Sequence, residues 1–286
     1  MKPAAFSYHR ARDVDGASEL LSQLGGDAKL VAGGQSLVPM MNFRLARPRH
    51  LVDIARLDEL SHITPDGAGL RIGALTTHHT VETAKARLGG GFAVLSDAMS
   101  WVGHVPIRSM GTVGGSLAHA DATAEWCLLA VLLDATVTVR GPDRAERTID
   151  AADLFLGFYT TTVEPDEILT EVIFPRPAPH AALTEFAQRH GDFATVAAAV
   201  DLDLDGGTVR GGRVALGGVA PVPVRVSAAE EVLRRGGPAG PELFAECATA
   251  AASAIDPPAD ADGSAEYRTN LARTLVTRAC EEAAHR

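Results

Sequence analysis

Apolar positions in the first part of the chain switch between helical and extended spacing. Ala17, Leu20, Leu21 and Leu24 recur at i, i+3, i+4 and i+7 and predict an amphipathic helix, with Asp15 placed to cap its start and Gly25–Gly26 to end it. Residues 29–32 read as a short strand that runs into a Gly33–Gly34 turn. Ser36 is placed to cap a short helical turn carrying Leu37, Met40 and Met41, where Pro39 is tolerated near the start. Residues 50–54 read as the next strand, so the glycines fall at a strand-to-helix junction. A second block opens near Leu57. Residues 70–74 alternate as a strand, Thr76 can cap a helix carrying residues 80–88, and Phe92, Leu95 and Met99 mark another helical face. After a second glycine turn at 111–116, residues 125–133 read as a buried helix, and 136–140 and 168–174 as strands.

The pattern then changes. Pro175, Pro177 and Pro179 fix φ, lack donors and bias their predecessors to extended geometry, which makes 175–179 the best linker in the chain. Residues 193–204 and 208–219 flank Asp205–Gly206–Gly207, a hairpin signal. The remainder is helical and alanine-rich, ending in 265–284, with a surface loop at 257–263.

Composition narrows the class. A chain of 286 residues, 46 % hydrophobic and 22 % charged, is long enough for two domains with a real core. No apolar run approaches the roughly 18 residues needed to span a bilayer, and the N-terminal residues lack the apolar region of a secretory signal, so a cytoplasmic protein is expected. A net charge of −10 argues against a nucleic-acid partner. Cys127, Cys247 and Cys280 show no CxxC spacing and are too few for the four thiolates of an ordinary iron–sulfur cluster.

Two glycine segments are the candidates for chemistry. Leu30, Val31, Ala32, Gly33, Gly34, Gln35, Ser36 and Leu37 form the first; Thr112, Val113, Gly114, Gly115 and Ser116 form the second. Paired glycines permit positive φ and open the main-chain N–H groups to a ligand, and successive N–H groups make an anion-binding concavity. Two such loops suggest two adjacent anionic groups, as in the diphosphate of a dinucleotide; either pair alone reads equally as a plain tight turn. GxGxxG and GxxxxGK[ST] are absent. Adjacent His78 and His79 point to opposite sides of an extended segment and there is no HExxH, which disfavours a metal site. Without a GxSxG elbow, a hydrolase is only a weak alternative. Asp121 and Glu125, four apart at the entrance to an apolar helix, fit either helix-dipole stabilisation or acceptance of ribose hydroxyls.

As a set these residues carry a resemblance. LVAGGQSLVPMMNFRLARPRHLVDI (30–54), IGALTTH (72–78), RSMGTVGGSLAHADATAEW (108–126) and RHGDFATVAAAV (189–200) closely resemble the medium, FAD-binding subunit of the molybdenum hydroxylases. That group includes carbon monoxide dehydrogenase, the nicotine and quinoline oxidoreductases and xanthine dehydrogenase. YRTNLARTLVTRA (267–279) is similar to the family's C-terminal flavoprotein domain. The resemblance implies an α+β protein: a two-lobed α/β FAD-binding domain of the PCMH type over 1–177, with lobes of about 1–56 and 57–177. An α+β C-terminal domain over 178–286, with a small antiparallel sheet and helices, would follow.

It further implies FAD between the lobes. Residues 30–37 would wrap the diphosphate with backbone N–H groups and 112–116 would form a second cradle. Glu125 would lie near the nucleotide half, Val102 and Leu169 would line the cofactor, and Thr77 would lie close to the flavin. Two departures stand out: Ala187 replaces a lysine of some relatives, and Ser116 replaces an asparagine. The missing lysine removes a cation that could stabilise a reduced, anionic flavin, which weighs against direct NAD reduction. Asp192 and Phe193 lie at a family motif without an assigned catalytic act. The implied partners are a molybdopterin-binding large subunit and a [2Fe–2S] small subunit in a dimer of heterotrimers. Electrons would pass from the iron–sulfur clusters through FAD to an external acceptor, with no side chain here acting as acid or base, and the scarcity of cysteines fits clusters held elsewhere. A stand-alone FAD-dependent oxidase or dehydrogenase and a non-catalytic nucleotide-binding module are the alternatives, which a visible spectrum of the purified chain separates.

Overall fold

A computed structural model describes residues 2–286. The chain opens with β1 (Ser7–Arg10), α1 (Val14–Leu24), β2 (Ala28–Val31), α2 (Leu37–Asn42) and β3 (His50–Asp53). The three strands form a parallel sheet in the order β1-β3-β2, with Ala17 and Leu21 of α1 buried against it. Asp13, not Asp15, caps α1: its carboxylate accepts from the Gly16 N–H at 2.7 Å. Asp15 falls inside the first turn and pairs instead with Arg144.

The second unit contains β4 (Ile63–Asp66), β5 (Gly69–Gly73) and a helical stretch made of α3 (His78–Thr83), α4 (Lys85–Leu88), α5 (Ala93–Ala98), α6 (Val105–Arg108), α7 (Val113–His119) and α8 (Glu125–Leu132). It closes with β6 (Thr136–Arg140), β7 (Glu146–Asp150), α9 (Ala151–Leu154), the hairpin β8 (Phe155–Gly157) and β9 (Thr160–Thr161), and β10 (Ile168–Phe174). Its sheet is antiparallel throughout, in the order β4-β5-β10-β6-β7. The expected helix over 80–88 is broken at Ala84 (φ −84°, ψ 21°). Thr77 rather than Thr76 caps α3, because the Thr76 hydroxyl is engaged with the backbone of His62.

The third unit carries the antiparallel sheet β11 (Ala181–Phe186), β12 (Val196–Asp205), β13 (Thr208–Gly217) and β14 (Val224–Arg225). Helices α10 (Ser227–Arg235), α11 (Pro241–Ser253) and α12 (Ala265–Ala284) cover one face. Gly206 and Gly207 both have positive φ (54° and 81°), the two-residue turn that matches the twist of a hairpin. The opposite face packs on α8, every residue of which from Trp126 to Leu132 is buried. The proline segment before β11 is pinned rather than free: Ala178 is buried and donates to the Gly91 carbonyl at 2.7 Å.

Candidate cofactor site

Folding brings the two glycine loops into contact. Gly33 lies against the Met110 carbonyl and the Cα of Gly111, so close that a Cβ there would overlap backbone. Gly114 packs in the same way on the backbone of Ala74. Among the loop glycines only Gly34 has positive φ (70°). Gly33 and Gly114 are therefore required for close approach rather than for an unusual turn.

The loops differ in what they offer a ligand. In the first, the N–H groups of Gly33, Gly34, Gln35, Ser36 and Leu37 donate to no acceptor among the described residues, and Ser36 does not cap α2 with its side chain. This row of donors sits between the end of β2 and the start of α2. Leu30, Val31 and Ala32 lead into it and are partly buried. The second loop departs from the expected turn. It is the first turn of α7, and its N–H groups are engaged internally: Val113 with the Thr76 carbonyl, Gly114 with Ala74, Gly115 with the Thr112 hydroxyl that caps the helix, Ser116 with the Thr112 carbonyl. Its polar groups left for a ligand are the Thr112 N–H and the Ser116 hydroxyl, which have no partners among the described residues.

Thr77 forms an isolated β-bridge with Thr112 and so lies beside the second loop, although its own hydroxyl is engaged with Thr80. Val102 is half-buried against the main core, and its carbonyl is held by the buried Arg108, which also forms a bidentate pair with Glu82. Leu169 is buried at a register shift between β10 and β6. Glu125 opens α8, and burial together with the charge of Asp121 pushes it up to about 7. Asp121 accepts from the Thr123 N–H and hydroxyl and raises the Tyr159 phenol across the turn.

Three residues escaped sequence reasoning. Arg108 left no pattern to read. His78, singled out only as half of an adjacent pair, is buried and its Nδ1 accepts from the Trp126 indole N–H at 3.0 Å. Glu185 is an acid in phase with the apolar positions Ala181 and Leu183, a signal that was present in the strand. No group of three or more possible metal ligands occurs among the described residues.

The first loop thus presents a row of free N–H groups at a strand-to-helix junction, pressed against the segment that leads into α7, and donors so arranged suit an anionic group. Residues 4–177 match the family described as FAD binding domain in molybdopterin dehydrogenase, and residues 181–283 match CO dehydrogenase flavoprotein C-terminal domain. The chain is 41 % identical over 291 residues to the 6-hydroxypseudooxynicotine dehydrogenase complex subunit alpha of Paenarthrobacter nicotinovorans, covering 100 % of this chain and 97 % of that one. It is 37 % identical to the carbon monoxide dehydrogenase medium chain of Afipia carboxidovorans, covering 99 % and 98 %. The crystal structure of quinoline 2-oxidoreductase from Pseudomonas putida 86 is similar with a TM-score of 0.94 at 35 % identity, covering 100 % of this chain and 99 % of that one. The chain belongs to the FAD-binding subunits of the molybdenum hydroxylases: it is an oxidoreductase subunit, and its cofactor is FAD.

Proposed function

We propose that this chain is the electron-transferring medium subunit of a cytoplasmic molybdenum hydroxylase. A large molybdopterin subunit would oxidise the substrate, a [2Fe–2S] small subunit would relay electrons, and the whole would assemble as a dimer of heterotrimers. When bound, FAD supplies the redox chemistry that links the iron–sulfur clusters to an external acceptor. The protein's own part is to bind and orient. The observation that carries the reading is the row of unpartnered N–H groups from Gly33 to Leu37, pressed against the second loop through Gly33. These donors and the Ser36 hydroxyl would hold the diphosphate, with Thr112 and Ser116 closing the other side. Glu125 would accept hydroxyls of the nucleotide half, while Val102, Leu169 and Thr77 would border the flavin. Relatives named as medium chains or as a complex subunit support the assembly.

Gln35 offers a test that leaves the backbone alone. Its side chain is exposed and bonds only the Gly33 carbonyl. Gln35→Glu places a negative charge at the donor row, and about tenfold weaker FAD binding is expected, the size of one repulsion near a surface. Flavin fluorescence quenching measures it; unchanged affinity at low salt would remove the diphosphate from this loop.

A further inference from the structure

α2 is an apolar helix with little packed on it. Leu37, Val38, Pro39, Met40 and Met41 are consecutive, yet only Met41 is buried, and Val38 and Pro39 are exposed. Past the helix end the exposure grows. Phe43 is 66 % exposed and Leu45 76 %, the highest value of any large apolar side chain among the described residues. Exposed apolar side chains clustered on one element mark an interaction site more often than isolated ones do.

The exposure is built into the backbone. The Leu45 N–H donates to the Met40 carbonyl and the Arg44 N–H to the Met41 carbonyl, both at 2.9 Å, the pair of bonds that closes a helix in a Schellman motif. That closure needs its middle residue in the left-handed region, and Arg44 takes it with φ 60°. Glycine adopts this conformation without strain, so an arginine is held here at a conformational cost. The motif ordinarily folds the next apolar side chain back onto the helix, whereas Leu45 stands in solvent. The far side of the turn is fixed as well: Arg47 Nε donates to the Arg44 carbonyl at 3.0 Å, and Pro48 is buried.

Charge sets this surface apart from the rest of the chain. The net charge is −10, yet no Asp or Glu occurs from Ala28 to Val52, a stretch that carries Lys29, Arg44, Arg47 and Arg49. Arg49 reaches Asp27 at 3.7 Å, while Arg44 and Arg47, both exposed, form no ion pair among the described residues. An apolar knob rimmed by unpaired arginines complements an apolar pocket with an acidic border.

We propose that Phe43 and Leu45, rimmed by Arg44 and Arg47, form the docking site for the [2Fe–2S] small subunit. The inference rests on the function proposed above. There the donor row over 33–37 holds the diphosphate before α2, and the knob stands at the other end of this six-residue helix, about 9 Å along its axis. A protein that passes electrons to the flavin has to seat beside the cofactor cleft, because transfer weakens steeply with distance; a large subunit working through that relay does not. A [2Fe–2S] cluster held by four thiolates is itself anionic and is drawn to a cationic surface.

Two variants of the full chain test the surface. Arg44→Gly keeps the left-handed turn, relieves it and deletes one charge; Phe43→Ser combined with Leu45→Ser deletes the knob. Association with the purified small subunit is measured by isothermal titration calorimetry at low and high salt, beside a thermal melt of each chain. Arg44→Gly should melt about 2 °C higher than wild type yet bind the small subunit about fivefold more weakly, with a shallower salt dependence. The double serine variant should melt as wild type does and bind about tenfold more weakly. Wild-type affinity in either variant, or weakened binding that tracks a lowered melting temperature, would overturn the proposal. So would a wild type that uses this segment to bind the large subunit or a second copy of itself, or that binds no small subunit at all. The FAD content of the assembled complex, read from its visible spectrum, tests the cofactor placement separately. An assembly that depends on Phe43 and Leu45 but holds no flavin would sink that placement and leave the docking site standing.

Discussion

A methyl group added at Gly33 would overlap the Met110 carbonyl, and one at Gly114 would meet the Cα and carbonyl oxygen of Ala74 at 2.9 Å. Backbone cannot yield as a side chain can, so Gly33→Ala and Gly114→Ala should each lower stability by about 1–3 kcal/mol and loosen FAD. Gly34→Ala meets side chains alone, those of Val38 and Val31, and forces a positive φ on alanine, a cost of about 1–2 kcal/mol. Urea melts with a parallel FAD titration check the order: equal losses of FAD affinity at all three positions would show that loop contact is irrelevant. His78 gives a pH signature. Burial, then the charge of Arg108, pushes its imidazole down to about 4, while the unfolded chain has the ordinary value near 6.5. The unfolded state thus takes the proton first as pH falls. The stability linked to His78 is complete above about pH 6.5 and is lost toward pH 4, to a total of about 3 kcal/mol. His78→Asn, whose Oδ1 can accept from Trp126 without titrating, should flatten the acid limb of a stability–pH curve; an unchanged limb would place the acid sensitivity elsewhere.

At the scale of elements, Arg268 fastens the start of α12 to the sheet, while the Thr184 hydroxyl of β11 holds the middle of the helix through the Leu275 carbonyl. Arg268, buried, donates through Nη1 to the carbonyls of Thr195 and Gly218 and through Nη2 to both carboxylate oxygens of Asp260 at 2.7 Å, which also ties down the 257–263 loop. Arg268→Leu leaves two carbonyls and a carboxylate without their donor and should cost about 3 kcal/mol, against a smaller loss for Asp260→Ala, where the carbonyl bonds survive. Both should expose the loop to proteolysis; melting and timed digestion distinguish a local from a global effect, and a loop equally resistant in both variants would deny Arg268 this role. The same scale shows what the sequence could disclose. The 206–207 hairpin, the burial of α8 and the junction at Gly33–Gly34 are local signals, and each was legible. Cap positions slipped by one or two residues, Asp13 for Asp15 and Thr77 for Thr76, because capping depends on which residue takes extended geometry. The internal engagement of the second loop was not legible at all. It arises from Ala74 and Thr76, some forty residues away, whose carbonyls meet Val113 and Gly114 only after folding. Glu185 lay between these cases: its apolar phase is visible in β11, but its burial depends on α8.

At the scale of the molecule, α8 decides whether the parts can exist alone. From Trp126 to Leu132 it is buried on every side, so it has no solvent face of its own. Part of its cover comes from the C-terminal sheet: Ala181, Leu183, Ala197, Ala199 and Ala215 belong to the same core, and β12 and β13 pack on the helix. The end of the helix is fixed by the same sheet, since Asp134 receives Arg213 at 2.6 Å and Arg225 at 2.7 Å, and Arg225 also reaches the Val131 carbonyl. A fragment of residues 1–177 would expose this helix, and each large apolar side chain returned to water costs about 1.5–3 kcal/mol. Expressed alone it should aggregate, or bind a hydrophobic dye and melt without cooperativity. Coexpression with residues 178–286 should restore a soluble pair that melts cooperatively and binds FAD. Size-exclusion chromatography and calorimetry of the two preparations test this. A monodisperse 1–177 fragment with a cooperative transition would mean that the glycine loops and α8 fold without the C-terminal sheet.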